Sequence, residues 1–212
     1  MSQPVMAAAY PPWVMFEHYC TEEVSGSSIG DTKTLAAVRT TTDLDISVSL
    51  SLAPPPEGSR VCVQLPLGFK ASYSLVLAAH DDSMVIQVTG IRGRAISSFD
   101  SGTTEHFIYN AGAAAADPPR PPSLLLLPPY GRANGKTSTR RYMNTDSTGL
   151  LRCGMDEFVV AELCMVEVEE GNNKQNRTAA ELVLLRSNSS EWSVTRPSIR
   201  HWNDDGNGQG KI

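Results

Sequence analysis

The clearest pattern in this chain is an alternation of apolar and polar residues at positions 45–52, where Ile46, Val48, Leu50 and Leu52 are separated by single serines. A period of two places these four side chains on one face of an extended segment, so the pattern predicts a half-buried β-strand. Three prolines at 54–56 end it, and the apolar segment 60–65 predicts a second strand. We expect these two strands to be antiparallel neighbours.

Similar patterns predict strands along most of the chain and very little helix. The further strands are predicted at 13–19, 35–40, 74–79, 84–88, 105–109, 124–127, 157–168, 180–186 and 191–195. Short polar connections at 80–83 and 187–190 predict hairpins between the strands on either side. No segment repeats apolar residues at i, i+3, i+4 and i+7 between caps, so helices should be few and short. The predicted class is all-β with antiparallel sheets, and a sandwich, a barrel and part of a propeller all fit this pattern.

A change of composition near the middle of the chain predicts two β units. The first covers 12–112 and the second covers 123–202. Between them, the segment 113–122 joins an alanine run to four prolines, which is typical of a linker or surface loop. The two ends, 1–11 and 203–212, should be flexible.

The charge balance narrows the classes of partner. The chain has 18 Lys and Arg against 23 Asp and Glu, a formal net charge of −5. Nucleic acids and anionic membranes select clustered cations, so we expect neither as a partner. The N-terminus has no basic segment leading into a continuous apolar stretch, so we predict no secretory signal and a location in the cytoplasm or nucleus. In those reducing compartments the four cysteines should remain free thiols.

One fragment matches a nucleophile motif of hydrolases. The segment 26–30, Gly-Ser-Ser-Ile-Gly, fits the G-x-S-x-G pattern, in which a turn between a strand and a helix exposes the serine. The following residues, 31–42, are predicted as loop and strand, whereas the motif requires a helix. We interpret the segment as a surface loop, and a serine hydrolase that uses Ser28 is a competing hypothesis.

A second fragment approaches a phosphate-binding loop. The segment 131–137, Gly-Arg-Ala-Asn-Gly-Lys-Thr, has three residues between its glycines where the motif requires four. We interpret it as a solvated basic loop, and nucleotide binding through Lys136 is another competing hypothesis. The side chains that we expect to contact an acidic segment of a partner are Arg132, Lys136, Arg140 and Arg141.

Metal binding has two weak candidates, His80 with Asp81 and Asp82, and His18 with Cys20. Zinc takes four ligands, and neither group has two more at a recognisable spacing. Residues 80–83 instead have the composition of a tight turn. We therefore predict no catalytic residue, no cofactor and no metal site.

Several short segments occur in an order that is typical of one protein family. They are Pro12-Trp13-Val14-Met15, Ser59-Arg60-Val61-Cys62-Val63, Ala78-Ala79-His80-Asp81-Asp82-Ser83, Phe107-Ile108-Tyr109-Asn110-Ala111-Gly112, Thr148-Gly149-Leu150-Leu151-Arg152, Glu157-Phe158-Val159-Val160-Ala161 and Leu185-Arg186-Ser187. Together they resemble the N-terminal half of plant proteins that carry domain of unknown function 1618, a family expanded in grasses. The resemblance covers residues 12–200, and it implies that the chain is an N-terminal portion of such a protein.

That family is similar to propeller-like domains associated with F-box proteins, which implies part of a radial array with an open sheet edge. An open edge favours self-association or partner binding. The family has no established activity, so the resemblance implies no site residue. We predict a non-enzymatic protein–protein interaction module with an unknown protein partner. A truncated paralogue without independent activity is a further alternative.

Overall fold

The computed structural model of the chain describes residues 13–23, 30–93, 103–113, 118–132, 139–140, 143–154, 156–170 and 175–197. This part of the chain is folded entirely as strands and their connections, which confirms the predicted all-β class, and it has no helix that could cross a membrane. The strands are β1 (Thr21–Glu23), β2 (Asp31–Arg39), β3 (Asp45–Ser51), β4 (Arg60–Gln64), β5 (Phe69–Lys70), β6 (Tyr73–His80), β7 (Ser83–Gly93), β8 (Thr103–Asn110), β9 (Ser123–Leu126), β10 (Gly131–Arg132), β11 (Thr139–Arg140), β12 (Thr148–Arg152), β13 (Phe158–Glu170), β14 (Gln175–Arg186) and β15 (Ser193–Thr195).

The chain divides into two compact units, Met1–Tyr142 and Met143–Ile212. In the first unit, one sheet has the order β1-β4-β3-β2 and another has the order β5-β7-β8-β9, with β6 also paired to β7. The second unit contains one sheet in the order β12-β13-β14-β15. All pairings between these strands are antiparallel except the parallel pair β1–β4.

The two large sheets of the first unit share one hydrophobic core. The alternating residues of β3 that predicted a buried face, Ile46, Val48 and Leu50, belong to the same buried cluster as Phe107 and Tyr109 of β8. The Tyr109 hydroxyl donates a hydrogen bond to the Thr34 carbonyl of β2 across 2.6 Å, which ties the two sheets together. Burying two apolar sheet faces against each other is the arrangement of a β-sandwich.

Three predicted strand pairings are confirmed. β3 and β4 are antiparallel neighbours, as expected from the segments 45–52 and 60–65. β6 and β7 form the predicted hairpin, with His80 opposite Ser83 and with Asp81 at a positive φ of 54° in the turn. β14 and β15 form the hairpin predicted around 187–190.

The segment 13–19 was predicted as a strand, and the structure instead shows a connection between the two sheets. The Glu17 amide donates to the Ser59 carbonyl beside β4, whereas the Val76 amide of β6 donates to the His18 carbonyl, both at 2.9 Å. Phe16 and Tyr19 accordingly form only isolated bridges. The segment satisfies backbone groups of two different sheets, so it makes no continuous ladder with either.

The boundary between the units also differs from the prediction. The alanine- and proline-rich segment 113–122, predicted to separate two β units, connects β8 to its antiparallel neighbour β9 within the first unit. Ala113 and Arg120 exchange two backbone hydrogen bonds of 2.9 and 3.0 Å, which close this connection. Residues 123–142 therefore belong to the first unit and not to the second.

Candidate functional site

Two of the four basic residues predicted to contact a partner, Arg132 and Arg140, lie in the short paired strands β10 and β11. β10 pairs with β11, with Gly131 opposite Arg140 and Arg132 opposite Thr139, so the backbones of the two arginines are in adjacent strands. Lys136 and Arg141 lie outside the described residues. The chain after Thr137 continues as β11, whereas a phosphate-binding loop would lead into a helix.

The G-x-S-x-G segment is followed directly by the strand β2, whereas a nucleophile elbow would lead into a helix. Ser28 itself lies outside the described residues. The last glycine of the motif has a packing role, because a Cβ atom at Gly30 would lie only 2.0 Å from Ser49 Oγ. The Gly30 amide also donates a hydrogen bond of 2.9 Å to Glu23 Oε1.

The two weak metal-ligand candidates, His80 with Asp81 and Asp82, and His18 with Cys20, lie within the described residues. His80 Nδ1 lies 3.4 Å from Asp81 Oδ2 at the β6–β7 turn, and the His18 ring packs against the ring of Tyr19. Within the part of the chain that the structure describes, no three His, Cys, Asp or Glu side chains are grouped so as to hold a metal ion.

The cysteines are free thiols, and two of them are strongly deactivated. Burial raises the pKa of both Cys20 and Cys62 to about 12, and a hydrogen bond with Glu23 adds to the shift at Cys62. The thiolate is the reactive form of cysteine, so these two side chains act as small packing groups at neutral pH.

The sheet of the second unit has one well-buried face. Five apolar residues on this face are less than 10% exposed: Leu150, Phe158, Val160, Val183 and Leu185. On the edge strand β15, Val194 lies opposite Val183 and is 45% exposed. The same face buries two carboxylates, each of which accepts hydrogen bonds. Glu162 accepts from the Asn144 amide at 2.9 Å, and Glu181 accepts from Nε and Nη2 of Arg196 at 3.0 and 2.8 Å.

The opposite face of this sheet is apolar as well, and it is more open: Leu151, Leu163 and Met165 are exposed on it, whereas Val159, Leu182 and Leu184 are half-buried. Its central residues are cross-strand neighbours, because Leu163 lies opposite Leu182, and Leu151 lies opposite Val159. Leu151, Leu163 and Met165 are 52%, 50% and 60% exposed. We call this surface the open face, and define it by Leu151, Val159, Leu163, Met165, Leu182 and Leu184.

Two further observations describe the open face. A Cβ atom at Gly149, whose neighbour across the sheet is Ala161, would meet no atom within 4 Å, so the face is uncovered there too. Three strands at a spacing of about 4.8 Å and six residue steps of about 3.4 Å give it a size of about 15 by 20 Å, or about 300 Å². Exposed polar residues, Arg186, Ser193 and Thr195, continue the sheet beside it. The largest apolar patch on an ordinary monomeric protein has about this size and is often functional.

No family model, curated protein or solved structure matches this chain. The resemblance to domain of unknown function 1618 therefore stays a prediction.

The sequence contains a pattern from which the open face was predictable. Positions 158–166 read Phe-Val-Val-Ala-Glu-Leu-Cys-Met-Val, in which the only charged residue is Glu162. Strands that are covered on both faces have such nearly continuous apolar runs, whereas a strand with one solvated face alternates. The segment was correctly predicted as a strand, but the interaction surface was placed on the basic loop.

Proposed function

We propose that this chain is a non-enzymatic protein–protein interaction module, working in the cytoplasm or nucleus, whose open face docks an apolar surface of a partner protein. The observation that carries this proposal is the two-sided apolar character of the β12–β15 sheet. One face is buried, and the other leaves three large apolar side chains at least half exposed. A surface of this kind loses contact with water only when another molecule covers it.

The size of the open face determines what the partner must provide. Covering about 300 Å² on each protein, at about 25 cal/mol per Å², contributes about 15 kcal/mol to association. The lost translational and rotational freedom costs about 4–15 kcal/mol, so the apolar contact alone gives a marginal complex. We infer that the partner also contacts the polar border, where Arg186 extends the interface beyond its apolar centre.

The basic hairpin β10–β11 is the second candidate surface. It brings the backbones of Arg132 and Arg140 into adjacent strands, and basic residues there favour an acidic segment of a partner. Such a contact depends on charge and weakens with salt, whereas docking on the open face depends on apolar area. The two surfaces are therefore separable by experiment.

The test is capture of the partner from native extract by the tagged full chain, followed by mass spectrometry of near-stoichiometric proteins. Four versions are compared: the native chain, Leu163→Glu with Met165→Glu, Leu67→Glu, and glutamine at Arg132, Lys136, Arg140 and Arg141. Leu67 is the matched control, because it is a 78% exposed leucine in the first unit. We expect the open-face variant to lose the partner and the Leu67→Glu variant to retain it.

Retention of the partner by the open-face variant would contradict the proposal. Loss only in the glutamine variant would move the site to the basic hairpin. Each variant must show the native far-ultraviolet circular dichroism spectrum and a cooperative thermal transition, so that unfolding does not imitate the loss of a contact.

A further inference from the structure

A small cavity lies at one end of the first unit, between the β2–β3 turn and the beginning of β8. Its volume is about 120 Å³, and its walls include Thr41, Thr103, Glu105, His106 and Tyr130. Glu105 is in phase with Phe107 and Tyr109, so it is on the core side of β8. Thr41, in the β2–β3 turn, donates hydrogen bonds to Glu105 at this point.

Glu105 is a buried carboxylate without a counter-charge among the described residues. It is 4% exposed, and its Oε1 atom accepts hydrogen bonds from the amide and the hydroxyl of Thr41, the former at 3.3 Å. In the described part of the chain, Oε2 accepts no hydrogen bond, and no Lys or Arg pairs with the carboxylate. Glu181, the buried carboxylate of the second unit, is by contrast paired with Arg196. Burying a carboxylate without a cation is costly, so Glu105 favours a positively charged ligand.

The remaining walls add no positive charge. His106 Nε2 lies 2.9 Å from Gln87 Oε1, and burial lowers the pKa of His106 to about 4, so this ring is neutral at physiological pH. The ring of Tyr130 lies edge-on to it at 6.1 Å. Thr103 contributes a buried hydroxyl that has no hydrogen-bond partner among the described residues. The cavity thus combines one anionic group, hydroxyl acceptors and aromatic surface.

We propose that this cavity binds a primary alkylammonium group, with the ammonium beside Glu105 and the methylenes along Tyr130. A protein cavity of about 150 Å³ admits benzene, with six heavy atoms, so one of slightly smaller volume matches a four-carbon amine with five. The ammonium donates three hydrogen bonds, for which Glu105 Oε2 and the Thr103 hydroxyl are acceptors. The aromatic ring of Tyr130 also attracts a cation. The ligand is either a lysine side chain of another protein or a free amine.

The test is a titration of the full chain with n-butylamine hydrochloride at neutral pH, followed by two-dimensional amide NMR. We expect saturable shifts of Thr41 and Glu105, with a dissociation constant in the millimolar range. The neutral isostere 1-butanol should bind at least about tenfold more weakly, because it makes no charge-assisted hydrogen bond.

Two glutamine variants test whether the negative charge of Glu105 binds the ammonium group. Glu105→Gln retains an oxygen that accepts from Thr41 but lacks the negative charge, so we expect it to bind butylammonium at least about tenfold more weakly. The exposed residue Glu57 is the matched control, and Glu57→Gln should bind as the native chain does. Equal binding of butanol and butylammonium, equal binding by Glu105→Gln, or the absence of saturable shifts would each overturn the proposal.

A capped lysine, Nα-acetyl-lysine methylamide, distinguishes the two sources of the amine. Tighter binding of the capped lysine than of butylamine assigns the cavity to a peptide-borne lysine, whereas weaker binding assigns it to a free amine. The cavity and the open face are in different units, so either proposal can fail while the other stands.

Discussion

The two units of this protein use their sheets differently. In the first unit, β3 alternates core residues such as Val48 and Leu50 with serines, and its apolar face is buried in a core shared with the second sheet. In the second unit, β13 is apolar on both faces, and only one of them is buried. A strand that is apolar on both faces is typical of a sheet that is covered on both sides. By that criterion, the β12–β15 sheet lacks a layer of protein over its open face.

Shortening a side chain in the shared core of the first unit should lower the free energy of unfolding more than any other change proposed here. Phe107 is fully buried in the cluster that both sheets contribute to. Phe107→Ala should lower the free energy of unfolding by about 3–5 kcal/mol, because it removes buried area and leaves a cavity. Chemical denaturation with Leu67→Ala as the control measures this, and the exposed Leu67 should change stability by less than about 0.5 kcal/mol. A loss below about 1 kcal/mol for Phe107→Ala would show that the core is not shared as described.

Within the second unit, two leucines on opposite faces of one sheet test whether only one of those faces is buried. Leu185 is 1% exposed on the buried face, whereas Leu163 is half exposed on the open face. Leu185→Ala should cost about 2–5 kcal/mol of unfolding free energy, and Leu163→Ala less than about 1 kcal/mol. Equal costs in a denaturation experiment on the isolated chain would mean that both faces are covered without a partner.

The third prediction concerns His106, which lies on the outer face of β8. Burial lowers its pKa to about 4 in the folded chain, compared with an ordinary value of 6.5. Between these values the unfolded chain binds the proton and the folded chain does not, so stability is lost as the pH falls from 6.5 towards 4. The loss between pH 7 and pH 4.5 should be about 2 kcal/mol greater for the native chain than for His106→Gln.

Unfolding free energies of both proteins at the two pH values measure this difference. Carboxylates elsewhere titrate in the same range, but they are common to both proteins and cancel in the comparison. An identical pH dependence would show that His106 is solvated or protonated in the folded chain.

Most strands of the fold were predictable because the order of apolar and polar side chains within a short segment indicates which of them are buried. The alternation in β3 and the polar turn at 80–83 each determine a structure within a few residues. The boundary between the units was not predictable, because prolines at 118–122 exclude a regular strand but do not show that Ala113 and Arg120 bond to each other. Segment 13–19 was misjudged for a similar reason, since its hydrogen-bond partners are far away in the sequence.

Prediction of the candidate sites required even more knowledge of tertiary structure than prediction of the strands. The apolar run of β13 was visible in the sequence, but which of its faces is exposed depends on what packs against the sheet. Glu105 was correctly placed in a strand, yet its hydrogen-bond donor is Thr41, a residue 64 positions away. That no described Lys or Arg pairs with it is likewise a result of tertiary packing.

The most direct test of the account is site-specific photo-cross-linking from the open face. Benzoylphenylalanine replaces Leu163 in one version of the tagged chain and Leu67 in another, and both are irradiated in native extract. The account predicts a discrete cross-linked protein from position 163 and none from position 67, and the mass of the product distinguishes a different protein from a second copy of the chain. No product from position 163, or the same products from both positions, would contradict the claim that the open face is a docking surface.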